Sequence, residues 1–387
     1  MTPQSSADGP PADGPTGHEP SQRPTTSTRD RHELHDRLVT WMAGKVDGPS
    51  ISELVVPESN GMSSETLLFD ASWDDDGTHR TQSCAARLRP DPANVPVFPV
   101  YDLERQFQVM GFVAEHSSVP VPRTLWYEPD DTAIGSPFFV MERVDGIVPP
   151  DIMPYPFGSW LSEAAPADQD RLQNLSVRVL AELHDMDVTA EDLAFLELDR
   201  PGDTALRRHV ADSAAYYEWV AAEGARSPLI ERAFGWLDDH WPTDDAPTVL
   251  SWGDARIGNM MFRDFEPVAV LDWEMAAVGP REIDLAWMIY LHRFLDDLAV
   301  QIDLPGMPRF MRLEDVATTY ESFTGHRPRD LEFYTLYAAL RHAIVMSRVA
   351  RRSILFGEME MPDDPDDLIM HRSTVEQMLA GSYWSGR

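Results

Sequence analysis

Three oxygen-bearing side chains stand at spacings suited to phosphate chemistry. They are Asp254, Asn259 five residues later, and Asp272 at the end of the apolar run Val268 to Leu271. Phosphoryl transfer asks little covalent chemistry of a protein. It needs a carboxylate that orients the attacking hydroxyl and hard oxygen ligands that hold magnesium against the phosphates. Mg2+ takes one or two carboxylates and leaves its remaining positions to phosphate oxygens and water. Each residue also has a plain structural use: Asp254 can close a Gly-Asp turn, Asn259 tolerates a left-handed backbone, and Asp272 can cap a strand. Together, in this order and flanking a short predicted hairpin, they point to the phosphate chemistry.

The elements that must position them can be read on either side. Residues Met1 to about Arg29 are rich in Pro, Gly, Ser, Thr and Asp, and are expected to form a disordered tail. Leu34, Leu38, Trp41 and Met42 are spaced as on a helix that Gly48-Pro49 ends. Alternating runs then predict strands at Leu54–Val56, Thr66–Ser72, Gln82–Arg89, Thr124–Tyr127 and Phe138–Arg143, with a helix from Asp102 to His116. After the turn Val144-Asp145-Gly146 helical spacing dominates: Arg171–His184, Ala205–Ala222, Leu229–His240, Ile283–Leu298 and Asp330–Arg352. A strand pair interrupts it at Met260–Phe262 and Val268–Leu271. The expected fold class is α+β in two lobes. A small sheet-and-helix lobe spans residues 30–143 and a larger helical lobe spans 144–387.

Composition narrows the function classes. Among 387 residues the formal net charge is −33, and no basic stripe exists to neutralise nucleic-acid phosphates. The single cysteine, Cys84, rules out an internal disulfide framework and suits a reducing compartment. With no apolar leader or membrane-length apolar run, the expectation is a soluble cytoplasmic protein with no membrane partner. Lys45 is the only lysine, so any phosphate-binding cation inside the fold must be arginine.

The segment Ser251-Trp-Gly-Asp-Ala-Arg-Ile-Gly-Asn259, followed by Val270-Leu-Asp-Trp-Glu274 and Asp284-Leu-Ala286, resembles the aminoglycoside phosphotransferase family. That family carries His-Gly-Asp-x-x-x-x-Asn, Ile-Asp-Trp-Glu and Asp-Leu-Ala. It includes choline-kinase-like enzymes and kinase-like domains fused to acyl-CoA dehydrogenases. The similarity is strongest to actinobacterial members with Trp-Gly-Asp in the first motif, and extends more weakly from about Leu54 to Arg352. It implies a protein-kinase-like fold and transfer of the γ-phosphate of ATP or GTP, with Mg2+, to a hydroxyl of a small molecule. Asp254 is then the catalytic base or orienting carboxylate, Asn259 and Asp272 bind magnesium, and Asp284 braces the catalytic loop. Arg256 is a candidate phosphate contact, with a loop salt bridge as its alternative. Glu274 meets substrate or supports a neighbour.

In the small lobe, Ser59-Asn-Gly-Met-Ser-Ser-Glu65 resembles the family's phosphate-covering loop, with Ser63 and Ser64 as its cofactor contacts. Arg87 falls where kinases place the lysine that meets the α- and β-phosphates, and its planar fork suits that task. Arg89 is the fallback. The helix glutamate that normally pairs with this cation is replaced by Gln106. Backbone groups of Glu142 and Val144 resemble the adenine-binding hinge. Trp252 stands in place of the family histidine. The Arg87–Gln106 combination keeps an alternative open: a nucleotide-binding pseudokinase acting as regulator or scaffold. His184 reads as structural. Tyr216, Tyr217 and Trp219 read as a core face, Tyr334, Tyr337, Arg341 and His342 as either cleft or core, and Glu358–Asp367 as a solvated loop. Oligomeric state and the identity of the acceptor do not follow from the residues.

Overall fold

Alternation in the strands decides what faces the cleft. In the computed structural model, which describes residues 29–57, 65–90, 95–243 and 247–385, the first part of the chain folds a five-stranded sheet. Helix α1 (Arg31–Ala43) starts at Asp30, whose carboxylate accepts the His32 and Glu33 amides that lack helical partners. Strands β1 (Asp47–Ile51), β2 (Glu65–Asp75) and β3 (Thr78–Leu88) come after it. Next are α2 (Leu103–His116), β4 (Thr124–Glu128) and β5 (Phe138–Glu142). The sheet order is β1-β2-β3-β5-β4, and every neighbouring pair is antiparallel. Cys84, Ala86 and Leu88 of β3 join Phe138 and Val140 of β5 in a core shared with Leu34 and Leu38 of α1. Ala85, Phe139 and Met141 point the other way and pack with Val109 and Met110 of α2. The two-residue period therefore puts Arg87 on the α2 face.

The start of this sheet departs from expectation. Helix α1 ends at Ala43, and Gly48-Pro49 lie inside β1 rather than terminating the helix. As an edge strand β1 tolerates the proline, which has no N–H to donate. Gly48, at φ +57°, falls where the pairing register shifts between Asp47 and Ser50. Leu54–Val56 is not a strand: Val55 makes only an isolated bridge with Leu68, its two backbone bonds being 2.9 and 2.8 Å. The expected tail through residue 28, and Ser63 and Ser64, lie outside the described residues.

Beyond β5 the chain docks at once on the larger lobe, through paired backbone bonds between Ile147 and Phe262 (2.9 and 2.8 Å). That lobe holds α3 (Pro166–His184), α4 (Ala205–Ala222), α5 (Pro228–Asp239), β6 (Thr248–Ser251), β7 (Met260–Arg263) and β8 (Glu266–Val270). It continues through β9 (Ala277–Pro280), α6 (Arg281–Gln301), α7 (Leu313–Thr324), α8 (Leu331–Leu355) and α9 (Arg372–Leu379). Strands β6 and β9 form one antiparallel ribbon and β7 and β8 another. Helices α6 and α8 pack together as the centre of this lobe. The fold is thus α+β, a small antiparallel sheet lobe joined to a mainly helical one. Among the described residues no helix is long and apolar enough to cross a membrane.

Candidate active site

The loop between β6 and β7 carries Asp254 and Asn259, and its shape is imposed from below by one buried carboxylate. Asp284, in the first turn of α6, is fully buried. It accepts the Ser251 hydroxyl (2.7 Å), the amides of Trp252 (2.7 Å) and Gly253 (2.9 Å), and His184 Nε2–H (3.1 Å). Burial alone would raise the pKa of this carboxyl, but these donors, His184 foremost, outweigh it and hold it below the ordinary value. His184 is fixed in turn by the Tyr320 hydroxyl at 2.9 Å. Gly253 has φ +89°, and a Cβ there would collide with the Met275 carbonyl, so only glycine fits. Trp252 is buried, its indole N–H donating to the Leu271 carbonyl at 2.9 Å. The indole thereby ties this loop to the chain that precedes Asp272.

Three donors then converge on Asp254. Trp287 Nε1–H reaches one carboxylate oxygen at 2.6 Å. Asn259 Nδ2–H reaches the other at 2.6 Å, with Arg256 Nε–H at 3.3 Å. The Asn259 amide nitrogen is thus committed to Asp254, and its Oδ1 is the acceptor end of that side chain. The Leu271 amide donates to the Asn259 carbonyl at 2.9 Å, which sets Asp272 beside Asn259. Asp272 itself adopts a left-handed backbone, φ +60°, uncommon for a residue other than glycine.

Across the cleft Arg87 Nη2 donates to Asp272 Oδ1 at 2.6 Å and lies 3.8 Å from Glu274. Burial works against its charge, but Asp272 and Glu274 outweigh burial and raise its pKa above the usual arginine value. The expected partner position on α2 is filled by Gln106, buried on the same helix face as Val109 and Met110. Among the described residues the carboxylates of Arg87 come from the opposite lobe, not from α2. Arg89 lies past the end of β3. Lys45 pairs with Glu128 beside Trp41, outside the cleft.

Arg256 forms the loop salt bridge that was its alternative reading. Its Nη1 bonds Asp151 at 2.7 Å while its Nε holds Asp254. At the end of β5 the Glu142 amide donates to the Arg123 carbonyl at 2.9 Å, so the expected base contact at that residue narrows to its carbonyl. The Val144 N–H, two residues on, has no protein acceptor among the described residues. Asp254, Arg256, Asp272 and Glu274 all border one cavity of about 330 Å3 that runs between α6 and α8. His342 borders it too, whereas Tyr337 bonds Ser213 and Arg341 bonds the Gly253 carbonyl at 3.2 Å. Tyr216 stacks on Trp219 and backs Phe98, which lines the same cavity. The late acidic run is held by groups outside it: Asp364 and Asp367 pair with Arg372, and Asp366 accepts from Ser227.

Two neighbours escaped the sequence reading. Trp287 lies three residues after Asp284 on α6, a spacing that puts both on one helix face and could have flagged it. Asp151 sits in an irregular segment without any such signal.

A sheet lobe over a helical lobe, with a braced Asp/Asn loop and a cation reaching across the cleft, defines a kinase-like protein. The family model of the phosphotransferase enzyme family matches residues 96–310, and the chain belongs to that family. Among solved structures, a putative aminoglycoside phosphotransferase from Ralstonia eutropha superposes with a TM-score of 0.62. It is 23% identical, over 91% of this chain and 98% of that one. The ADP-bound aminoglycoside phosphotransferase APH(2'')-Ib gives a TM-score of 0.52 at 14% identity, covering 91% of this chain and 98% of that one. Among curated proteins, acyl-CoA dehydrogenase family member 11 of Gallus gallus is 32% identical over 67% of this chain and 30% of its own length. Family member 10 of Mus musculus is 28% identical over 69% of this chain and 24% of its own length. The chain thus spans under a third of the length of these two relatives.

Proposed function

We propose that the protein transfers the γ-phosphate of ATP or GTP to a hydroxyl of a small molecule, with Asp254 acting on the acceptor. The observation that carries this reading is the convergence of Trp287, Asn259 and Arg256 on Asp254, beside Asp272 in one cavity. A carboxylate so held keeps one orientation without having to be ordered by the substrate. The acceptor oxygen attacks the γ-phosphorus, the bridging bond to the β-phosphate breaks, and the nucleoside diphosphate leaves. Asp254 orients the hydroxyl and takes its proton.

The donor set suits Mg2+. Asp272 offers a carboxylate and Asn259 an amide oxygen, hard ligands too few to form a closed cage and therefore suited to sharing an ion with phosphates. When bound, the ion would neutralise charge on the phosphates. Arg87 is proposed to contact the α- and β-phosphates, Ser63 and Ser64 to cover them, and the Glu142 carbonyl and Val144 N–H to meet the base. Gln106 is proposed to support Arg87 without an ion pair. The lobe limits proposed are residues 30–143 and 144–387. ADP in one structural neighbour is in keeping with nucleotide use here.

The test is Asp254→Asn. Nucleotide affinity should stay close to wild type, because the residue faces the acceptor, while turnover falls by roughly two or more orders of magnitude. Unchanged turnover on an accepted substrate would remove Asp254 from the role.

A further inference from the structure

The cavity beyond Asp254 has two unlike halves. Its charged groups all come from loops: Asp151, Asp254, Asp272 and Glu274, with Arg256 among them. Each of these carboxylates already has an arginine against it. Arg256 serves Asp151 and Asp254, and Arg87 serves Asp272 and Glu274. The helical half is different in kind. Where α6 and α8 border the cavity they supply no carboxylate, and its wall is built from such residues as Met288, Leu291, Leu295 and Val345. The polar groups these helices do present are Trp287, whose N–H is spent on Asp254, and two histidines that burial keeps neutral, His292 and His342.

This division runs against the protein's overall charge. The net charge of the chain is −33, and the four carboxylates outnumber the two arginines against them, but that surplus is confined to the loop half of the cavity. On the helical side a ligand with several ammonium groups would lie against apolar walls that cannot replace its water. An apolar chain loses nothing there. About 330 Å3 is also within the range of pockets that enclose a small ligand body.

We infer that the acceptor is an alcohol carrying an apolar body. Its hydroxyl sits at Asp254 and its chain lies between α6 and α8. The inference rests on the phosphotransferase reading for its reaction, though not for its binding chemistry.

Calorimetric titration of butane- to decane-1,2-diol into protein loaded with magnesium and AMP-PNP tests it, with streptomycin and hygromycin B as the cationic arm. Affinity should rise about fourfold per added methylene, the factor expected for burying each one. The longer diols should bind more tightly than either aminoglycoside. Val345→Asp should abolish the chain-length dependence while leaving AMP-PNP affinity unchanged, which also shows the variant to be folded. A flat diol series, tighter aminoglycoside binding, or a dependence that survives Val345→Asp would each overturn the inference. If AMP-PNP itself fails to bind wild type, the phosphotransferase reading fails, and the diol series still decides the character of the cavity.

Discussion

The Arg87 guanidinium lies 2.6 Å from Asp272, so a cation borne by β3 of the small lobe rests on the carboxylate just beyond β8 of the large one. The contact joins residues 185 positions apart. It also explains how a glutamine can stand at position 106. The charge that the family resemblance assigns to a helix glutamate is supplied here by Asp272 and Glu274.

Arg87→Ala should therefore act on both lobes. If Arg87 meets the α- and β-phosphates as proposed, nucleotide affinity falls by roughly 1.5–3 kcal/mol, the range for charge-assisted hydrogen bonds. Arg87→Lys should recover only part of that, because a point charge does not reproduce the planar fork. Titration of ATP into the two variants measures it, and equal affinity in wild type and Arg87→Ala would exclude the contact.

Acid should destabilise the fold through its buried histidines. Burial pushes His371 down to about 4 and His209 to about 3, while His292 and His342 fall well below the ordinary value. In the unfolded chain each titrates near 6.5. The folded values are the lower ones, so the unfolded state binds more protons as pH falls through that window. Stability is full above about pH 6.5 and is lost toward each folded value. His371, stacked on His342 with ring centres 4.6 Å apart, is the clearest single case. His371→Gln should flatten the stability profile between pH 6 and 5 by about 1.4 kcal/mol per pH unit, one proton's worth. Denaturant titrations at the two pH values check this, and parallel profiles for wild type and variant would contradict it.

How much of this was legible depended on the kind of signal. The resemblance singles out Arg87 on its strand, and the strict alternation that Ala85 and Cys84 fix puts it on the α2 face. Asp284 was read as a brace for the loop, and its bonds to Ser251, Trp252 and Gly253 give it that work. The strand at Leu54–Val56 failed because three apolar residues look alike whether they form a ladder or one bridge. Strands β6 and β9, four residues each, are too short for periodicity to register. The Arg87–Asp272 pair had no local signature at all. Nothing in a sequence shows which carboxylate 185 residues away will face a given strand.

Trp287 carries the last prediction. Its indole N–H donates to Asp254 at 2.6 Å, and the Arg341 guanidinium lies over its ring, 4.4 Å from the ring centre. Arg341 in turn donates to the Gly253 carbonyl at 3.2 Å. The ring is thus held on one side by an arginine tied to the loop and presents its single donor to the proposed base. Trp287→Phe keeps an aromatic face for Arg341 and removes only the donor. A hydrogen bond to a charged group contributes roughly 1.5–3 kcal/mol. A comparable loss in the transition state lowers kcat by about tenfold to a hundredfold. Because the indole bonds Asp254 and none of the proposed nucleotide contacts, KM for ATP should stay within about twofold of wild type. That split separates positioning from packing: a general loosening of the fold would move both constants and lower the melting temperature. Steady-state kinetics on an accepted alcohol decides it. If kcat holds at the wild-type value in Trp287→Phe, the indole is a wall of the cavity and does not position Asp254.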